Sequence, residues 1–388
     1  MTPLPFFLTT LVWNYGLGMT YVVVPLYAHA QGLSGAEIGT LFSLPVVAQV
    51  AVNLLGGAYT DRLGGRRIVL ASSLLMSAAA LLYIVGSGFA TLFIAQGVMV
   101  VSRAAFWPAA WSMASELPGA RGVQMGRVNA ITNAGQIAGT ASCGFILAFA
   151  GFTSTFLVFA FAGLAAWILA LRTPRPTPRA EGSAGPGVFA HFPVLMRMPV
   201  MAYMMMCAYV SALPFTLSMS FLPLLLQHYA YGADSSGVLL ALRAVGSIAA
   251  GLLVGRFVRT GPGSLWPVGS GVAVALAIGA LPLVPVTSMI AALMLLVGLG
   301  SGVMTLYFQI TISEVSSVAQ RGSAMALGGL GWGISHLSTP LIMGVLTDRY
   351  GIVTGFYAIG AIAMALTLVL AGLRRRAFAH TALGIRAD

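Results

Sequence analysis

Apolar residues run through this chain in long stretches rather than in the short alternating pattern of water-facing helices and strands. A helix needs about 20 apolar residues to cross a bilayer. Twelve such runs lie between polar or Gly/Pro breaks, near 6–29, 36–58, 67–87, 89–114, 125–149, 153–171, 199–226, 236–256, 265–284, 288–312, 323–346 and 352–373. They predict an all-α integral membrane protein with twelve transmembrane helices and no room for a large soluble domain. The N-terminus has no basic region ahead of its apolar run, so the first run reads as a retained helix rather than a signal peptide.

Composition agrees with this pattern. Of 388 residues, 59% are hydrophobic and 7% charged, and the mean hydropathy is +0.94. A soluble domain carries roughly 25% charged residues. The shortage excludes a soluble enzyme, a nucleic-acid-binding domain and a disordered chain. Cys143 and Cys207 both fall within apolar runs, so there is neither a disulfide framework nor a metal-type spacing.

The net charge of +11 comes from 19 arginines and no lysine. With the N-terminus placed inside, sixteen arginines fall on inside segments, among them Arg62, Arg66, Arg121, Arg172, Arg256, Arg321 and Arg374. Arg349 is then the only one on an outside loop, and Arg103 and Arg243 lie within spans. Positive charge concentrates on cytoplasmic loops, so both termini are expected in the cytoplasm of a cell that carries the protein in its inner (plasma) membrane. The basic balance is thus no nucleic-acid footprint.

Residues 172–198 form the one real linker, with Thr173-Pro174-Arg175-Pro176-Thr177-Pro178 followed by Gly182-Ser183-Ala184-Gly185-Pro186-Gly187. Proline and glycine forbid a continuous helix here. The expected organisation is a six-helix bundle over 1–171, this cytoplasmic linker, a second bundle over 199–373 and a cytoplasmic tail over 374–388. The halves repeat: Val24-Pro25-Leu26 returns as Leu222-Pro223-Leu224, Ser115-Glu116 as Ser313-Glu314, Arg121-Gly122 as Arg321-Gly322, and Gly151 with Phe156 as Gly351 with Phe356. The offsets stay between 198 and 200 residues. Two parallel six-helix repeats suit a rocking transporter whose site lies at the midplane.

The second run ends Gly57-Ala58-Tyr59-Thr60-Asp61-Arg62-Leu63-Gly64-Gly65-Arg66-Arg67. This resembles the G-x-x-x-D-R-x-G-[RK]-[RK] signature of the major facilitator superfamily, with Gly65 in place of one basic residue. The resemblance implies the major facilitator fold, two pseudo-symmetric six-helix bundles, and a cytoplasmic gate latched by Asp61 and Arg62. Gly57 permits close helix approach, Gly64 a tight turn, and Arg66 contact with anionic headgroups. Glu116 with Arg121, and Glu314 with Arg321, are candidate gate pairs. In the second half Gly255 stands where the acid would be. The fourth run keeps the Arg of the superfamily's R-x-x-Q-G-x-x-A-A motif as Arg103, but Phe106 and Trp107 replace the Gln and Gly. The fifth-run pattern of drug antiporters, G-x-x-x-G-P-x-x-G-G, is incomplete in Gly135–Gly144.

Polar residues at helical spacing mark candidate cavity walls. Substrate-binding candidates are Asn14, Tyr21, Arg103, Trp107, Asn129, Asn133, Gln136, Tyr203, Arg243, Tyr307, Gln309, Trp332 and His336. Asn129, Asn133, Gln136 and Thr140 make the cleanest stripe. Arg103 and Arg243 differ in kind, because a charge at bilayer depth costs at least about 2.5 kcal/mol and is functional by default. No Asp or Glu lies deep in a span. Two buried cations therefore point to an anionic, carboxylate-bearing small molecule as substrate. His336 is the midplane group that titrates near neutral pH, hence the candidate for coupling to a proton.

The function expected is secondary active transport by alternating access. Alternatives are proton-driven efflux of amphiphilic drugs or sugars, with a drug site lined by Trp13, Trp107, Trp111, Trp332 and tyrosines, soft-metal (copper) import through the Met196–Cys207 run, and a non-transporting membrane receptor. No nucleophile, base and orienting acid converge, so no enzyme is expected. Neither a cofactor nor a resident metal is implied. The expected partners are the solute, membrane lipids and a coupling proton or ion, and a monomer suffices.

Overall fold

Glycine and proline set the helix boundaries. The computed structural model describes residues 4–50, 52, 64–115, 117, 121–173, 192–283, 285–317 and 320–379. Helix α1 is Leu4–Ala30 and α2 begins at Gly35–Ser43. The latter is helical again from Pro45 to Val50. Next come α3 (Gly65–Val85) and α4 (Gly88–Ser115). One helix, Arg121–Leu171, contains Gly151 at φ 74°, ψ −178°. That residue divides it into α5 (121–150) and α6 (152–171).

A five-residue helix, Phe192–Met196, leads to α7 (Pro199–Ser218), which resumes after a turn as Leu222–His228. Helix α8 (Ala233–Ala249) passes into a π turn, Ala250–Val254, and a 3-10 turn, Gly255–Phe257. Then follow α9 (Trp266–Ala280), α10 (Thr287–Val315), α11 (Arg321–Tyr350) and α12 (Ile352–Phe378). Every expected span lies on a helix, the second as far as its described residues reach, and no strand occurs among the described residues. Nine helices among them are long and apolar enough to cross a membrane, counting α5 and α6 as one.

Local chemistry explains the ends. Ser34 and Glu37 form a capping box at α2: the Glu37 amide donates to Ser34 Oγ at 3.2 Å, and the Ser34 amide to Glu37 Oε2 at 2.8 Å. The internal repeat appears in backbone angles: Gly151 and Gly351 have φ of 74° and 83°. Only glycine adopts this region without strain, so both copies turn at matching places. Phe156 and Phe356, five residues after these glycines, are 1% and 0% exposed.

The chain forms two compact units, Met1–Gly182 with Met219–Ala241, and Ser183–Ser218 with Leu242–Asp388. Each is held by helices brought close at glycine, as expected where lipid removes the hydrophobic drive between helices. In the first unit, a Cβ at Gly139 would overlap the Tyr15 carbonyl, and one at Gly135 would press on that of Leu11. In the second, Gly331 leaves the same clearance to the Met205 carbonyl and Gly298 to that of Arg243.

Candidate functional site

In the first unit, α4 carries Arg103 into the interior at 7% exposure. Its Nη2 donates to Gln49 Oε1 at 2.5 Å, so its partner among the described residues is a neutral amide. Its Nε–H is buried and makes no hydrogen bond among the described residues. A buried donor left in this way costs about 1–3 kcal/mol. Beside the guanidinium, Tyr21, Gln96, Thr20 and Met219 help to enclose a space of about 10 Å³. That is room for a water-sized group and no more, so a larger ligand reaches Arg103 only if these helices part. Gln96 also accepts from Tyr83 Oη at 2.6 Å.

The two departures from the fourth-helix motif build an aromatic wall. Phe106 stacks on Trp13 of α1 with centroids 3.9 Å apart and planes at 6°. Trp107 stands edge-on to both, at 5.6 Å from Phe106 and 6.3 Å from Trp13, and 6.2 Å from Trp111. Trp13 is expected as a wall residue under the drug-efflux alternative, and the structure sets it against Phe106, which was not among the candidates.

The α5 stripe grades from open to closed. Asn129 is exposed and Asn133 half-buried, its Nδ2 donating to the Asn129 carbonyl at 2.8 Å. Gln136 Nε2 donates to Asn14 Oδ1 at 3.2 Å, while Asn14 Nδ2 donates to the Thr10 carbonyl at 2.8 Å. Thr140 is buried and donates to the Gly18 carbonyl at 3.0 Å. The inner polar pair thus ties α1 to α5.

In the second unit, Arg243 of α8 is 8% exposed, with its guanidinium carbon 5.2 Å from the centre of the Phe215 ring. His336 lies 5.5 Å from the same ring and 5.8 Å from Trp332, near parallel to it at 21°. Its Nδ1 is 2.8 Å from the Trp332 carbonyl oxygen. A carbonyl only accepts, so Nδ1 carries a proton in this contact. Arg243, Phe215, Trp332 and His336 therefore form one cationic and aromatic cluster. Phe215 was missed because it lies in an unbroken apolar run.

Other candidates lie elsewhere. Tyr203 is fully buried with its ring 5.9 Å from Phe378 of α12, and Tyr307 is fully buried on α10, whereas Gln309 is exposed. Among the gating candidates, Gly64 sits just ahead of α3. Arg66 caps α6: its Nε and Nη2 donate to the carbonyls of Ala170 and Leu171 at 3.1 and 2.5 Å. The structure does not bring Glu314 and Arg321 together. Glu314 accepts from the Thr260 hydroxyl, and Arg321 donates to the Ser313 carbonyl at 2.9 Å. Gly57, Asp61, Arg62 and Glu116 lie outside the described residues, as does the side chain of Arg121.

Long apolar helices joined at glycine, with two deep arginines among aromatic rings, define a multi-pass membrane protein. The chain belongs to the Major Facilitator Superfamily, whose family model matches residues 6–310. Similar curated proteins include quinolone resistance protein NorA of Staphylococcus aureus, 26% identical over 133 residues. Multidrug resistance protein 2 of Bacillus subtilis is 26% identical over 136 residues. Each match covers 34% of this chain and spans about a third of the relative's length, 34%. Among solved structures, nucleoside transporter NupG has a TM-score of 0.77 at 14% identity, covering 97% of this chain and 99% of that one. A bacterial homolog of human lysosomal transporter Spinster, inward-facing and unoccupied, gives 0.72 at 16% identity, with 97% and 95% covered. These structural likenesses show the fold.

Proposed function

We propose that this chain is a secondary active transporter of a small organic anion, working by alternating access in the inner membrane with both termini cytoplasmic. The observation that carries the reading is Arg103. A full positive charge sits 7% exposed against a neutral amide, with a buried N–H that has no acceptor among the described residues. A carboxylate oxygen would satisfy that donor and the charge together. Within the second unit, Arg243, set against Phe215, is another deep cation of the kind that attracts an anion.

Neutralising Arg103 tests the reading. Losing a desolvated charge-assisted contact costs about 2–5 kcal/mol, a fall in affinity of roughly 30-fold to several thousand-fold. Arg103→Gln should show that loss for carboxylate ligands in a binding assay on monodisperse protein. Arg103→Lys should recover only part, since it lacks the bidentate fork. A folded Arg103→Gln protein with wild-type affinity for every ligand that stabilises the wild type overturns the reading.

A second reading, efflux of amphiphilic drugs, is favoured by the Trp13, Phe106, Trp107 and Trp111 wall and by the names of the NorA and Bacillus relatives. A ligand survey by thermal shift in detergent separates the two, because a ligand that binds the folded state raises its melting temperature. Carboxylates should stabilise under the first reading, lipophilic cations under the second.

A further inference from the structure

Between α9 and α10 the second unit opens a groove of about 380 Å³. Leu265, Trp266, Gly269 and Ala273 line it from α9 and the residue before it, and Leu296 and Val303 from α10. The wall is carbon almost throughout. The one hydroxyl in it, Ser270 Oγ, donates to the Trp266 carbonyl of its own helix at 2.6 Å. A Cβ at Gly269 would meet nothing within 4 Å, so the glycine opens the groove. From Trp266 to Ala273 the floor runs two turns, roughly 10 Å.

Both walls are membrane-spanning helices, so hydrocarbon rather than water is the medium at this depth. The end of the groove is of another character. Ser264, next to Leu265, donates to the Arg259 carbonyl at 2.7 Å, which folds the α8–α9 loop against the start of α9. Arg259 and Arg256 of that loop are both exposed. The acid of α10 at this level, Glu314, is engaged by the Thr260 hydroxyl. Trp266 stands at the junction, as tryptophans do at the level of lipid headgroups.

We propose that this groove is a binding site for one phospholipid with an anionic headgroup, an acyl chain lying on Gly269 and Ala273 and the headgroup held by Arg259. Apolar depth, an aromatic residue at the interface and an exposed cation then follow one another in the order in which a lipid presents tail, glycerol and phosphate. This assignment is independent of the transported solute, and its readout involves no transport.

Native mass spectrometry of the purified full chain tests it, after delipidation in detergent and titration with phosphatidylglycerol or phosphatidylcholine of matched chains. The wild type should retain one phosphatidylglycerol about tenfold more tightly than phosphatidylcholine, one decade of affinity. Gly269→Leu, which fills open space, should weaken both lipids by about tenfold or more. Ala273→Leu should do the same from the next turn of α9, and it serves if Gly269→Leu is not monodisperse. Arg259→Gln should keep phosphatidylcholine binding and lose the preference for phosphatidylglycerol. Inorganic phosphate should not displace the lipid. The proposal fails if the filled variants retain lipid as the wild type does, which would place bound lipid elsewhere on the surface. It fails equally if the wild type binds both lipids alike, or if Arg259→Gln keeps the preference.

Discussion

Helices α5 and α11 occupy the same place in the two copies of the repeat, and Gln136 and His336 are equivalent residues 200 positions apart. Both helices make close backbone contacts within their own unit: α5 at Gly135 and Gly139 against α1, α11 at Gly331 against α7. Their polar residues do different things. Gln136 reaches across to Asn14 and fastens two helices. His336 bonds the carbonyl of its own helix, one turn back, and presents its ring to Phe215 and Trp332. The means of packing persisted between the copies while the chemistry diverged: an amide cross-link in one, a titratable aromatic in the other.

The comparison breaks most completely at its glycines. Gly139→Leu should cost more than the usual 1–3 kcal/mol of overpacking, because a backbone carbonyl must move to admit even a Cβ. Monodisperse yield should collapse and the melting point of what remains should fall, with Gly331→Leu behaving alike. Gly126→Ala, where a Cβ meets nothing within 4 Å, should change stability by no more than about 0.5 kcal/mol. A Gly139→Leu protein that melts like the wild type would show that the α1–α5 contact is looser than its geometry.

The divergence in chemistry is sharpened by His336→Gln, which gives α11 the residue of α5. If His336 carries the coupling proton, the variant should lose concentrative uptake in proteoliposomes and keep exchange down a gradient. Proton-dependent accumulation at the wild-type level would sink that role. The smallest effect belongs to the amide link. Hydrogen bonds between membrane helices average about 0.6 kcal/mol, so Gln136→Leu should lower the melting point slightly and leave the fold intact. A loss as large as that of Gly139→Leu would mean that the polar contact, not the glycine, holds α1 to α5.

Much of this architecture could be read from residue order. Apolar runs of spanning length, broken at residues such as Gly151 and Gly351, dictate helices and joints, because lipid leaves the backbone no other way to satisfy its hydrogen bonds. Arg103 and Arg243 were conspicuous as charges at bilayer depth. Their partners were not. Gln49 is 54 residues from Arg103, and Phe215 is one aromatic among many in apolar sequence. Arg66 had the same difficulty: its basic character suited a headgroup, but its acceptors lie 104 and 105 residues away at the end of α6. Periodicity reports which face of a helix is polar; it carries no information about which distant helix meets that face.

The π turn at Ala250–Val254 has a consequence of its own for α8. A regular helix advances about 100° per residue, and a π turn accommodates one residue more than that progression allows. Everything beyond the turn is therefore out of phase with everything before it. A helical wheel drawn through Ser236, Arg243 and Ser247 and continued past Ala250 assigns the following residues to the wrong azimuth. Leu252 and Leu253, exposed at 77% and 67%, belong to the shifted part. Removing one residue between Ala250 and Val254 would restore the regular winding and turn Arg256 by about a quarter of the helix circumference, while leaving Arg243 where it is.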